Sequence, residues 1–141
     1  GGLTAALALH RSVHRVQVHE QAPSLGEVGA GVMLTPNATR ILIRLGLGDA
    51  IARHGNVPAY TAVRDAFDGH LLSNVPIGES YERRHGAPYY HIHRADLHAV
   101  LAQAVCVEHP DAIVLSRPFT GVDGYAGGIR RMAPGCPRHP A

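Results

Sequence analysis

The sequence contains no Trp and no Lys, only two Phe and two Cys, and no uninterrupted apolar run near the ~20 residues of a membrane span. Each absence removes a class of function. Without a long apolar run there is no segment of the kind that crosses a bilayer as a helix. With aromatic residues at 5%, a platform for stacking nucleic-acid bases is not expected. All thirteen basic residues are Arg, offset by eleven acidic ones to a net charge of +2 with His neutral. That field is too weak to hold nucleic acid or an anionic membrane. Cys106 and Cys136 lie far apart and match no metal or redox spacing, so a reducing cytoplasm is the expected setting. The opening Gly-Gly-Leu-Thr-Ala-Ala-Leu has neither an initiator Met nor a basic region. It does not read as a secretory signal, and the chain is expected to be a fragment of a longer protein.

What remains is 141 residues with 45% hydrophobic content, enough for one modest domain with a real core. Residues 3–10 read as a helix, with Leu3, Ala6 and Leu7 at helical spacing. Residues 15–20 alternate as a short strand, with Val16 and Val18 on one side. Residues 21–31 carry one Pro and three Gly and read as a loop. Residues 31–34 read as a brief strand. Thr35-Pro36 then starts a helix, with Thr as cap and Pro in the first turn, stopping near Gly46. A second short helix covers 47–54 and is ended by Gly55.

Strands are expected at 60–67 and 71–75, joined by a tight turn at Asp68-Gly69. One helical turn is expected within 79–84, an extended segment at 90–93 and a helix at 95–105. Short strands follow at 113–115 and 119–122. Residues 1–124 form the expected folded part. Residues 125–141, rich in Gly, Pro and Arg, are expected to be poorly ordered.

The first twenty residues carry the first chemical signal. A helix opened by Gly1-Gly2 offers unpaired N–H groups and a positive dipole end to a pyrophosphate. Glu20 follows Gly2 by eighteen positions, near the spacing expected of a carboxylate that holds a ribose hydroxyl. A carboxylate suits a free 2′-hydroxyl and repels a 2′-phosphate, so the ligand class is FAD or NAD rather than NADP. On these residues alone, an ordinary helix–strand pair with an exposed Glu fits equally well.

A longer, ordered set of segments narrows the choice. Gly1 to Leu9, Val16 to Ala22, Leu25 to Val32, Pro36 to Arg40, Leu45-Gly46-Leu47 and His91 to Leu97 resemble the FAD-dependent aromatic-ring hydroxylases of the salicylate hydroxylase and para-hydroxybenzoate hydroxylase type. The resemblance runs from Gly1 to about Val105. It implies an α/β fold: a partial Rossmann-like FAD-binding domain, lacking its first strand and carrying a small β-hairpin insertion.

It also implies roles by position. Gly1 and Gly2 are similar to the last two glycines of the family's phosphate loop. Glu20 resembles the carboxylate on the adenosine ribose of FAD, and Gln21 lies where the backbone meets the adenine region. Gly31 and Val32 resemble the loop on the flavin side. Arg40 and Arg94 resemble two arginines that steady the cofactor, a task suited to a planar, always-charged guanidinium. The complete family members use NAD(P)H and O2 to hydroxylate small aromatic compounds. The family's Asp-Gly and Gly-Asp cofactor segments are not recognisable, since Asp68-Gly69 comes too early and fits a hairpin turn. Most of a substrate-binding sheet is also absent. The catalytic residues are therefore unknown, and the isolated chain is expected to be inactive.

Other constellations are weaker. Among eleven histidines, His10 and His14 are four apart but straddle a helix end, and His91, His93 and His98 lack a completing ligand. No metal site is expected. Cys106, Ser24 and Ser116 lack a nucleophile setting, and Glu79 and Glu82 read as a solvated face. An NAD-dependent dehydrogenase would need a Tyr/Lys or His partner; the absence of Lys counts against a Tyr/Lys pair, and the 29–40 segment would be left without a role. A non-catalytic remnant is the third reading.

Overall fold

The computed structural model describes residues 1–26, 29–125 and 128–132. The elements run α1 (Gly2–His10), β1 (Val18–His19), β2 (Gly31–Leu34), α2 (Pro36–Arg44), α3 (Gly48–His54), β3 (Tyr60–Arg64) and β4 (Leu71–Pro76). After them come α4 (Glu79–His85), β5 (Tyr90–His93), α5 (Arg94–Glu108), β6 (Ile113–Val114), β7 (Gly121–Tyr125) and β8 (Gly128–Met132). The result is a mixed α/β architecture divided into two units, Gly1–Gly26 with Val105–Ala141, and Glu27–Ala104.

In the first unit, α1 buries Leu3, Ala6 and Leu7, apolar residues that recur at helical spacing. Leu7 is only 2% exposed. Val16, Val105 and Ala112 border the same gap as Ala6 and Leu7. Strand β1 pairs in parallel with β6, Val18 opposite Ile113 and His19 opposite Val114. The pairing continues past both strands through Glu20 N–H to Val114 O (2.9 Å), Arg117 N–H to Glu20 O (2.8 Å) and Ser116 N–H to Ala22 O (3.0 Å). The regular strand, Val18–His19, is shorter than the 15–20 expected.

The tail departs from expectation. Gly128–Met132 is a strand paired with Gly121–Tyr125 in an antiparallel hairpin. Backbone ladder bonds form this element, and they need no apolar periodicity. The rest of the expected tail, residues 126–127 and 133–141, lies outside the described residues.

In the second unit, β2 and β5 form a four-residue antiparallel ladder, Gly31 opposite His93 through Leu34 opposite Tyr90. Between them in sequence lie α2, α3, the β3–β4 hairpin and α4. The core includes Leu34, Leu42, Leu45, Leu47, Ile51 and Ile92, with Ile51 fully enclosed. Thr39 is the buried polar residue here, and its Oγ1 donates to Leu34 O at 3.3 Å.

Helix α2 starts where Thr35-Pro36 predicts, but not by the expected cap. Thr35 Oγ1 bonds the Asn37 side chain, and no side-chain cap bond to the helix forms. The helix ends in a Schellman motif: Leu47 N–H reaches Leu42 O (3.0 Å) and Gly46 N–H reaches Ile43 O (2.9 Å), with Gly46 at φ +71°. The β3–β4 connection is longer than a two-residue turn. Asp65 N–H bonds His70 O, and Asp65 Oδ1 accepts from Phe67 N–H and Asp68 N–H, so a six-residue loop replaces the tight turn.

Helix α1 ends in the same motif without a glycine. His14 N–H reaches Leu9 O (3.3 Å) and Val13 N–H reaches His10 O (3.0 Å), which forces Val13 to φ +66°. A β-branched residue is strained there, and Val13 is 96% exposed, so no packing compensates. Val13→Gly is expected to stabilise the chain by about 1 kcal/mol, read as a higher urea midpoint with an unchanged slope.

Candidate functional site

The sequence-predicted residues fall into both units. In the first, Gly1 is the N-cap of α1 and Gly2 its first residue. The first turn has no acidic residue and no side-chain cap bond. Its first intrahelical bond is Ala5 N–H to Gly1 O (3.0 Å), so the N–H groups ahead of it have no helical partner. A Cβ at Gly1 or Gly2 would meet no atom within 4 Å. The glycines are thus not required by internal packing, and they leave the helix end open to an anion.

Glu20 sits at the C-terminal end of β1, its backbone held on both sides by the 114–117 segment. One carboxylate oxygen, Oε1, accepts from Ala22 N–H at 2.9 Å, which fixes the side chain. No described hydrogen bond occupies Oε2. Gln21 follows in the bend and is exposed. The structure places Gly1, Gly2, Glu20 and Gln21 in one unit, the glycines at a helix start and Glu20 and Gln21 just after a strand end.

In the second unit, Gly31 and Val32 are strand residues, not the loop that the resemblance implies. Ladder pairing to His93 and Ile92 extends them. Arg94 opens α5 immediately after β5, and its N–H reaches Ala30 O at 3.1 Å. Arg40 lies on α2, exposed, with Nη2 donating to His85 O at 3.3 Å. The β2–β5 ladder brings Gly31, Val32 and Arg94 together. The bond recorded for Arg40 ties it instead to the end of α4.

One further position was missed by sequence reasoning. A Cβ on Gly29 would lie 2.9 Å from Arg94 Cβ and 3.4 Å from Ala95 N. The chain entering β2 presses against the start of α5. The Gly29-Ala30-Gly31 run was the available signal, although nothing in it shows which glycine is squeezed.

Ionisation is perturbed at Tyr90, on β5. Burial, and then the charge of Glu82, hold its phenol above the ordinary value of 10.0. Among the described residues no three His, Cys, Asp or Glu side chains gather as a metal site, and no helix is long and apolar enough to cross a membrane.

No protein-family model matches the chain. Individual proteins do. The 3-hydroxybenzoate 6-hydroxylase of Polaromonas naphthalenivorans is 44% identical over 103 residues, covering 73% of this chain and 26% of that protein. The 6-hydroxynicotinate 3-monooxygenase of Pseudomonas fluorescens is 38% identical over 119 residues, covering 84% of this chain and 30% of that protein. The crystal structure of Klebsiella pneumoniae HpxO complexed with FAD and uric acid superposes with a TM-score of 0.77 at 23% identity, over 95% of this chain and 33% of that one. That last likeness establishes the fold. The chain spans about a quarter to a third of the length of these relatives.

Two predictions follow from this geometry. Gly29→Ala is expected to destabilise by about 1–3 kcal/mol, because Arg94 Cβ is fixed to backbone and cannot swing aside. Gly31→Ala, whose Cβ meets nothing within 4 Å, is expected to leave the urea midpoint nearly unchanged. For Tyr90 the neutral phenol is favoured in the fold. Its contribution is present below pH 10 and is lost as pH rises through the raised value. Tyrosinate absorbance is expected to show a late-titrating step that Tyr90→Phe removes, together with part of the stability loss above pH 10.

Proposed function

The chain is homologous, over part of their length, to the flavin-dependent aromatic hydroxylases, and from that premise we propose that it supplies FAD-binding residues to a monooxygenase acting on a small aromatic compound. The observation that carries the reading is the pairing of an uncapped, glycine-opened helix with a fixed carboxylate at the end of the adjoining strand. Both features fit the adenosine diphosphate end of FAD. The N–H groups at the start of α1 meet the pyrophosphate, and the open space beside Gly1 and Gly2 lets it approach. Glu20 holds the ribose hydroxyls through the oxygen not taken by Ala22, and the backbone at Gln21 meets the adenine region. A partial Rossmann-like arrangement is the finer fold reading, supported by the parallel β1–β6 pair beside α1.

In the second unit, Gly31, Val32, Arg40 and Arg94 are assigned to the rest of the cofactor. Arg94 stands where β5 passes into α5, so its backbone is set by a strand and a helix together. The bound flavin, reduced by NAD(P)H, supplies the oxygen-activating chemistry, while the protein binds and orients. The substrate class proposed for the whole enzyme is a hydroxylated aromatic carboxylate, as the names of the two curated relatives indicate. The free thiol of Cys106 agrees with a cytoplasmic setting.

The test is titration of FAD into the chain, followed by flavin fluorescence. Glu20→Gln keeps the acceptor for Ala22 N–H and removes the charge. It is expected to weaken binding about tenfold or more, the worth of a charge-assisted hydrogen bond. Gly2→Ala is expected to weaken FAD binding while leaving thermal stability undiminished, since Ala favours a helix more than Gly. Equal FAD affinity in all three proteins would overturn the assignment.

A further inference from the structure

Strand β5 ends and helix α5 begins at His93. Its ring nitrogen Nδ1 accepts from Ala95 N–H at 3.3 Å, satisfying one of the free donors of the helix start. Ser, Thr, Asp or Asn performs that task with fewer atoms. What an imidazole adds is a second nitrogen. With Nδ1 engaged as acceptor, the proton of the ring sits on Nε2. Among the described residues no hydrogen bond occupies Nε2, and the side chain is exposed.

Two glycines set the surroundings of this ring. A Cβ on Gly29 would lie 3.5 Å from His93 Cε1, so the missing side chain lets the ring edge settle against the backbone. Gly31 is the cross-strand partner of His93. Both are exposed, on the face of the ladder opposite to buried Ile92. Cross-strand partners hold their Cβ atoms about 5 Å apart, and a Cβ at Gly31 would meet nothing within 4 Å. A gap one side chain wide therefore lies beside the imidazole.

We propose that His93 is a further cofactor contact, its Nε2–H donating to a neutral oxygen on the flavin half of FAD, a ring carbonyl or a ribityl hydroxyl. This role rests on the assignment of Gly31, Val32 and Arg94 to the cofactor. Gly31 and Arg94 are the cross-strand and chain neighbours of His93, so a group that meets both lies within reach of the imidazole. A donor whose tautomer and ring position are already fixed costs little to order on binding. Asp96 stands in the first turn of α5, and its carboxylate repels a phosphate there; a neutral oxygen meets no such repulsion. The absent side chain at Gly31 leaves a flat ring system room to approach the strand.

The test compares FAD with ADP on the chain and on His93→Ser. Serine keeps an acceptor for Ala95 N–H and removes the outward donor. The ratio of the ADP Kd to the FAD Kd isolates the flavin half, because a disturbance of the whole fold weakens both ligands. In the parent chain FAD is expected to bind more tightly than ADP. His93→Ser is expected to lower the ratio about two- to tenfold, the worth of one neutral hydrogen bond, with ADP affinity and the urea midpoint unchanged. With FAD carrying carbon-13 at its two ring carbonyls, a resonance that differs between the two proteins places the acceptor on the ring. Unmoved carbonyls with a lowered ratio place it on the ribityl chain. Nitrogen-15 spectra of the parent imidazoles need no variant: His93 is expected to carry its proton on Nε2, with a resonance that moves on adding FAD and not on adding ADP. An unchanged ratio in His93→Ser, or a His93 proton on Nδ1, overturns the role of His93 alone. A parent chain that binds neither ligand overturns the FAD reading itself, and the role of His93 with it.

Discussion

The second unit depends on one ladder. Four residue pairs between β2 and β5 close a loop that contains α2, α3, the β3–β4 hairpin and α4. Closing so long a loop is costly in chain entropy, though the cost grows only slowly with length. The return comes from the apolar side chains gathered inside it. Leu34 and Ile92 lie on the two strands themselves and are buried. The bridge from Asn56 to His91, with N–H to O distances of 2.8 Å in both directions, extends the ladder to the end of α3. The same ladder delivers the chain into α5, so the position of Arg94 is a consequence of strand pairing.

Packing outweighs charge as the stabilising force. Truncating an enclosed residue such as Leu7 or Ile51 to Ala is worth about 2–5 kcal/mol. The ion pairs Arg11–Glu108 and Arg83–Glu79 have side chains between 31% and 91% exposed, and such pairs contribute about 0–1 kcal/mol. The β3–β4 hairpin is weakly anchored, with every residue of β4 exposed, and a two-stranded hairpin is marginal by itself.

The glycines divide by physical role. Gly46 occupies the left-handed region that ends α2. Gly29 is squeezed by the start of α5, where any side chain would collide with Arg94 Cβ. Gly1 and Gly2 meet neither demand: they are exposed and face open space. Glycine without an internal reason at a helix start is the feature on which the proposed cofactor contact rests. The glycines required by packing or backbone conformation are separated from the others by this contrast, and a motif alone cannot draw it.

Local structure was largely legible in the sequence. Apolar residues at helical spacing located α1 and α5, and Thr35-Pro36 and Gly46 marked the ends of α2, because these signals act within a few residues. The ordered segments from Gly1 to Leu97 also carried the resemblance to flavin-dependent aromatic hydroxylases, since their order and spacing are written in the sequence itself. Only tertiary structure decided the rest. The strand at 18–19 pairs with β6, and β8 forms because β7 pairs with it. Gly29 matters because α5 arrives beside it. Each of these depends on a partner distant in sequence, and single-residue preferences hold no record of which distant segment the fold will bring near.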